Sequence, residues 1–456
     1  MRADLLADPV AGLDEALAAI DAFDGALVAG LLRPQPAGLT ELADALAGSP
    51  LADRVAEAVE KTAAGAAGEE HFLVLAAART ALFGSVHDAL LARVTEATGR
   101  GLDEDTASTP GAPESPNLLA AARSWLADLA RAGWQGIDHD LVSGAAPVIS
   151  ALLPEPGLRR LAALLDGFAA ELAASCPGAA LDRIPLRRWA DLWSRAMLLT
   201  LAGPAPATGT ATGRLLPLGV DLHEHPTAAQ AQVHAVFEPV NGPARLVRAS
   251  VSAPKPDTII GAGIWQLLRP HLSLLTAVSE GRAMELTDMP LTAEGDLLWQ
   301  DEHARLGEPA DAFATARVAL PTALTPATAP LDRHPARIAV PVFLEGYAIE
   351  RDEDTLTLTI AGHRLAVDAD RIPVAGPLTP EAVATSTACI GLLRWESGDF
   401  RVQPLAVEST VRKKTVALQA GAWAGGTTDK AGVKAEKAAT DAAAVLRERA
   451  GRLLRK

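Results

Sequence analysis

Cysteine is nearly missing from this chain: among 456 residues only Cys176 and Cys389 carry a thiol. Two thiols exclude a disulfide scaffold and any Cys-rich zinc or iron–sulfur site. Charged residues make up only 21% and aromatic residues 4%, against 49% hydrophobic. A disordered chain shows the reverse balance, so this one is read as mostly globular. No run of ~18 apolar residues is free of charge, Pro or Gly, as a membrane span would require, and Arg79 interrupts the richest stretch, Phe72–Val86. The opening MRADLLADPV lacks a basic start followed by an apolar core. No secretory leader is read there, and the expected location is the cytoplasm. Also missing are the phosphate loop GxxxxGK[ST], the metalloprotease motif HExxH and the hydrolase motif GxSxG.

Lysine is scarce and unevenly placed. There are eight, of which six follow residue 412. Acidic residues exceed basic ones by 56 to 41, a net charge of −15. Residues 411–456 hold 11 basic and 4 acidic groups, a net +7, which leaves −22 for the rest. At roughly 100–200 residues per domain, the length predicts two to four domains.

The pattern along the chain divides it. Residues 1–102 read as a helical domain, with Ile20, Phe23, Leu27 and Leu31 on one helical face and Leu75, Leu82, Val86, Leu90 and Val94 on another. Residues 103–117 collect Pro, Ser, Thr and acids and read as a linker. A second helical block spans 118–202. Its stripe Leu158, Leu161, Leu165, Phe168 and Leu172 stops at Cys176-Pro177-Gly178. Its last helix puts Trp189, Leu192, Trp193 and Ala196 on a core-facing side, with Asp191 and Arg195 as an exposed i,i+4 pair.

Residues 203–213 are a Gly/Pro/Ala/Thr hinge, after which the period falls from 3.6 to 2. Leu216, Leu218, Val220 and Leu222 are expected on one face of a strand, and Asn241-Gly242 marks a hairpin. Residues 214–320 thus read as an α+β domain with a β-meander, including a helix near 259–278 interrupted at Pro270. A Pro-rich linker, 321–335, leads to a small antiparallel sheet or barrel over 336–411, with turns at 361–363 and 397–399. Residues 412–456 form a basic tail ending in a helix.

Chemistry is thinly signalled. Asp221, His223 and His225 project from one side of a strand, with His234 in the next strand. Imidazoles at that spacing are the donor set of a divalent transition-metal site. The same residues are equally what a half-buried sheet shows to water, continued by Gln232, Arg248, Ser250 and Ser252, and that reading is favoured. Gly261-Ala262-Gly263 stands where a dinucleotide turn would sit, but Gln266 replaces the third glycine and no βαβ pattern surrounds it. Cys176 beside a helix stop and Cys389 in an apolar run do not read as nucleophiles. In the tail, Lys434, Lys437, Arg447, Arg452 and Arg455 are candidates for partner docking beside the apolar Val445, Leu446, Leu453 and Leu454. No aromatic follows Trp423, which leaves base stacking unsupported.

Three strings, RWADLW (188–193), LPLGVDLHEH (216–225) and ELTDMP (285–290), resemble an uncharacterised family of high-GC bacteria. Its genes stand beside those for a SWIM zinc-finger protein, a MoxR-type AAA ATPase and a von Willebrand A-domain protein. The resemblance implies an accessory role next to an ATPase machine and supplies no catalytic residue. The expectation is an α+β protein with a helical N-terminal half, an antiparallel β-rich C-terminal half and a terminal basic helix. Its expected work is non-catalytic protein–protein interaction without a cofactor or a membrane. A metal-dependent hydrolase at Asp221/His223/His225/His234 is the alternative. Nucleic-acid binding by the tail ranks third, because −22 elsewhere repels phosphates.

Overall fold

The computed structural model describes residues 1–32, 36–103, 115–178, 184–201, 209–225, 228–256, 259–352, 355–411 and 414–453. Most of the expected linker 103–117, part of the expected hinge 203–213, and Arg455 lie outside them.

Helices fill the N-terminal half: α1 (Asp4–Ala7), α2 (Leu13–Ala29), α3 (Pro36–Ala45), α4 (Ala52–Ala63), α5 (Glu69–Thr98) and α6 (Pro116–Ala132). They continue as α7 (His139–Ser143), α8 (Ala145–Leu152), α9 (Arg159–Ser175) and α10 (Leu186–Leu199). The predicted stripes are the buried ones: Leu158, Leu161, Leu165, Phe168 and Leu172 on α9, and Trp189, Trp193 and Ala196 on α10. Edge-on aromatic packing runs through this core, with Trp134 and Trp189 at 5.2 Å and Trp125 and Phe168 at 6.2 Å between ring centres. α5 has the length and hydropathy of a membrane span. It is nonetheless the central helix of the fold. Phe72, Leu75, Leu82 and Phe83 enter the helical core, whereas Val86, Leu90 and Val94 enter the core beneath the sheets.

The first sheet comprises β1 (Gly209–His225), β2 (Ala228–Pro239), β3 (Arg245–Pro254), β4 (Arg282–Leu291), β5 (Asp296–Leu297) and β6 (Ala304–Pro309). Its order is β1-β2-β3-β5-β4-β6, and β1 also pairs with β4, so five strands close into a ring. The barrel therefore lies before the Pro-rich stretch, and β1 begins inside the span expected as a hinge. Pro270 does interrupt the intervening helix, giving α11 (Gly263–Leu267), a short 3-10 turn and α12 (Leu272–Glu280). α13 (Ala312–Val318) follows β6.

The second sheet contains β7 (Val340–Glu345), β8 (Ala348–Asp352), β9 (Thr355–Ile360), β10 (His363–Val367), β11 (Ala388–Glu396), β12 (Asp399–Val411) and β13 (Lys414–Gln419). α14 (Pro380–Ala384) precedes β11. The order is β7-β11-β12-β10-β9-β8, with β13 added to β12. Pairing is antiparallel in both sheets except for β3–β5 and β10–β12. Two hairpin turns sit where the sequence places them, with positive φ at Ala361 and Gly362 and at Ser397 and Gly398. That is the two-residue geometry that matches strand twist.

One expected alternation fails. The β1–β2 register slips between Pro217 and Gly219, a bulge that leaves Leu218 as an extra residue. Leu216 and Leu218 consequently pack with Phe313 and Ile390, while Val220 points into the core shared by the sheets. The Pro-rich stretch 321–335 is packed along its path. Thr325 bridges Leu102, Leu324 bridges Arg245, and the His334 ring lies 4.2 Å from that of Phe83. It crosses α5 at Gly84, where a side chain would meet Arg333.

β1 of the first sheet touches β12 of the second at Gly219. A Cβ there would stand 2.8 Å from Leu405 Cβ, inside van der Waals contact. Gly219→Ala is expected to destabilise by about 1–3 kcal/mol in urea unfolding through overpacking. Gly25→Ala, in the middle of α2 with open space around it, is expected to stabilise by about 0.5–1 kcal/mol. Equal effects would mean the sheets do not meet at Gly219.

Candidate functional site

The bulge in β1 turns Asp221 toward the second sheet, so at Asp221 the polar face is covered by protein where water was expected, while His223, His225 and Ser252 are exposed. Asp221 is only 3% exposed. Arg394 Nη2 from β11 donates to its Oδ2 at 2.6 Å, and Gln403 Nε2 from β12 donates to Oδ1 at 2.8 Å. Arg394 Nε donates to Gln403 Oε1 at 2.5 Å, closing a three-residue ring of hydrogen bonds. His223 Nε2 lies 3.0 Å from Asp221 Oδ2. Burial alone would raise the Asp221 carboxyl, but the bond from His223 and the Arg394 guanidinium hold it well below the usual carboxylate range.

The four candidate metal ligands are distributed unevenly around this ring. Asp221 is its hub, His223 is half-exposed at its edge, and His225 is exposed at the end of β1. His234 is 1% exposed, opposite Gly219 on β1 and Arg248 on β3. Burial pushes its imidazole down to about 3. A cation on Asp221 would have to displace the guanidinium already on the same oxygen. Among the described residues no group of three His, Cys, Asp or Glu side chains has metal-ligand geometry. Cys389 is fully buried, which pushes its thiol up to about 12. Lys434, Lys437, Arg447 and Arg452 are exposed on the terminal helix, far in sequence from this ring.

A second polar node was not expected from the sequence. Arg79, on α5, donates through Nε and Nη2 to both Asp24 oxygens at 2.6 and 2.9 Å, and through Nη1 to Asp191 at 3.2 Å. Its guanidinium stacks on Phe83, 4.8 Å from the ring centre. Asp191 also lies 3.5 Å from His334 Nε2. The expected exposed pair of Asp191 with Arg195 is thereby replaced, since Arg195 reaches Asp332 at 2.9 Å. The one signal for this node was a lone Arg in an apolar helical run, which calls for a buried partner. Between the two nodes lies a cleft of about 460 Å³, lined by Asp191, His334, Arg371, Arg394 and Trp395.

This arrangement is rich in paired charge and poor in reactive groups. Its guanidinium–carboxylate contacts hold the two sheets together at Asp221 and the helices together at Arg79. No family model, curated protein or solved structure matches this chain.

Removing one partner of a buried ion pair strands the other charge. Arg394→Met is therefore expected to destabilise by about 3–5 kcal/mol at neutral pH, with partial recovery in the Asp221→Asn/Arg394→Met double variant. Urea midpoints check this, and a loss below about 1 kcal/mol would mark the ring as solvated.

His334 supplies the pH test. Burial pushes it down to about 4, opposed by Asp191 and reinforced by Arg79, Arg195 and Arg337. Its folded pKa lies below the unfolded value, about 6.5, so the unfolded chain takes the proton first. The stability owed to neutral His334 is complete above about pH 6.5 and is lost as pH falls toward 4, by at most ~1.4 kcal/mol per pH unit. Asp24, pushed up to about 6 by burial, acts in the opposite sense in that window. The readout is therefore the difference between wild type and His334→Gln. The variant should lose less stability between pH 7 and 4, and parallel curves would show that His334 does not titrate.

Proposed function

We propose that this chain is a non-catalytic cytoplasmic adaptor that engages a protein partner through its terminal basic helix. The carrying observation is the placement of that helix, α15 (Lys430–Leu453). Its first part is anchored. Gln266 of α11 donates to the Glu436 carbonyl at 3.4 Å and to Thr440 Oγ1 at 3.2 Å. Gly263 admits Ala439 so closely that a Cβ would stand 2.8 Å from it. Beyond Asp441 the described residues are mostly exposed, and Val445 is 47% exposed beside Arg447.

A positive, half-anchored helix on a body of net charge −22 can present its cations and Val445 to an acidic partner without unfolding anything. The family resemblance supplies the partner class, a MoxR-type AAA ATPase or a von Willebrand A-domain protein. The hydrolase reading gains no support from Asp221, whose oxygens are held by Arg394 and Gln403. Nucleic acid would meet the same helix but also the acidic body.

The test is recovery of bound proteins from the native host with the tagged full chain at near-physiological salt. The full chain should bring down one of these two partners. A chain lacking residues 441–456, or carrying Glu at Lys434, Lys437, Arg447 and Arg452, should lose it. Recovery of the chain alone, or a partner retained by both variants, overturns the adaptor reading at this helix.

A further inference from the structure

A second cavity lies at the margins of the two polar nodes, since His234 in its wall feels Asp221 and Arg337 feels Asp191, and α15 does not line it. It has a volume of about 60 Å³ and sits among α5, β3 and the stretch after Thr325. That volume suits a few waters or one small ion, since one water needs ≳ 10–15 Å³. Its lining includes His87, His234, Arg248, Thr325 and Arg337, and Glu294 is its one acidic side chain among the described residues. His234 is the informative member. It is 1% exposed, and its Nε2 is buried with no hydrogen-bond partner among the described residues. An unmade bond on a buried polar atom costs about 1–3 kcal/mol, so such atoms are normally satisfied by water or a ligand.

The charge balance indicates what would satisfy it. Arg337 shares its acid: Asp332 Oδ1 lies 3.1 Å from Arg337, 2.9 Å from Arg195 and 3.6 Å from Arg160. Asp332 thus serves three guanidinium groups, with Asp191 acting on Arg195 and Arg337 as well, so Arg337 has no carboxylate of its own. On the opposite wall Arg248 is neutralised by Asp296 at 2.9 Å. Of the two arginines in the lining, Arg337 is therefore the one without a dedicated acid, and Glu294 is the opposing charge. The Arg337 side chain is about half-exposed.

We propose that this cavity binds a small oxyanion, a carboxylate or an inorganic phosphate, held by the Arg337 guanidinium and by Nε2–H of neutral His234. A guanidinium matches the planar oxygens of such an ion, and a neutral imidazole can donate the second bond in a dry site. Thr325 adds a hydroxyl within the same lining. The site is independent of α15, so the adaptor reading and this one stand or fall separately.

The test titrates the full chain with sodium phosphate, sodium acetate or sodium chloride at matched ionic strength. The histidine Cε1–H resonances are followed by NMR, with thermal unfolding in parallel. The expected result is a saturable shift of the His234 resonance and a raised Tm in phosphate or acetate but not in chloride. Which of the two ions acts identifies the source of the oxyanion. Arg337→Gln, at a half-exposed position, should weaken binding at least ten-fold while leaving the chain folded. His234→Gln should abolish the Tm increment even if its own Tm is lower. Identical behaviour in all three salts, or saturation unchanged in Arg337→Gln, overturns the proposal and leaves water as the partner of His234.

Discussion

The structure depends on one helix serving two cores. α5 runs for 30 residues, about 45 Å at 1.5 Å per residue. Its first half is packed by helices and its second half by sheets. Such a helix cannot shift along its axis without disturbing both cores. Arg79 fixes it at the middle, because a guanidinium buried between Asp24 and Asp191 tolerates no slippage. The Pro-rich stretch crosses at the same level, with His334 on Phe83, Arg333 over Gly84 and an Arg333–Asp88 contact at 3.3 Å. Proline suits this crossing because its fixed φ reduces the entropy lost on ordering an extended strap.

The Asp221 ring does for the two sheets what Arg79 does for the helices. Buried ion pairs are poor sources of net stability, since desolvation offsets most of their Coulomb energy. Their effect is to exclude alternatives. A one-residue slip of β1 would send Asp221 to the apolar side and leave Arg394 uncompensated. The bulge at Leu218 is what makes the correct register available, by turning Gly219 and Asp221 toward Leu405, Gln403 and Arg394.

The sequence is informative wherever the deciding interaction is local. The α9 stripe, the break at Pro270, the turns at 361–362 and 397–398, and the β2–β3 hairpin at Asn241-Gly242 each depend on residues within one or two turns of chain. Interactions between distant residues were not legible. Arg79 finds Asp24 across 55 residues and Asp221 finds Arg394 across 173. Ring closure needs β1 to pair with β4 past two intervening strands. The bulge defeats period-2 reading for a related reason: Leu216, Leu218, Val220 and Leu222 alternate perfectly in sequence, and only the pairing with β2 reveals the extra residue. The Asp221/His223/His225 face was visible as a set, but what covers Asp221 was not. Gly261-Ala262-Gly263, set aside as a dinucleotide turn, has a packing role: Gly263 makes room for Ala439.

The choice between the two basic residues follows the same division. Buried or shared positions use arginine: Arg79, Arg394, Arg195 and Arg337 each meet acceptors through a fixed planar fork. Lysine, a flexible and strongly hydrated point charge, is concentrated after residue 412, where Lys434 and Lys437 are exposed on α15. Arginine is thus the cation at both buried nodes, whereas α15 presents lysine and arginine together, and Lys255 is a buried lysine 3.4 Å from Glu224. An interior of fixed forks and an end of exposed charges is the distribution that the proposed docking of α15 requires. Attraction of that kind is long-ranged and falls with salt, because exposed charges are screened within about 8 Å at physiological ionic strength. The oxyanion cavity belongs to the other regime. There Arg337 has the fork but shares its carboxylate, and the shortage of acid at Asp332, rather than a surplus of lysine, creates the demand for an anion.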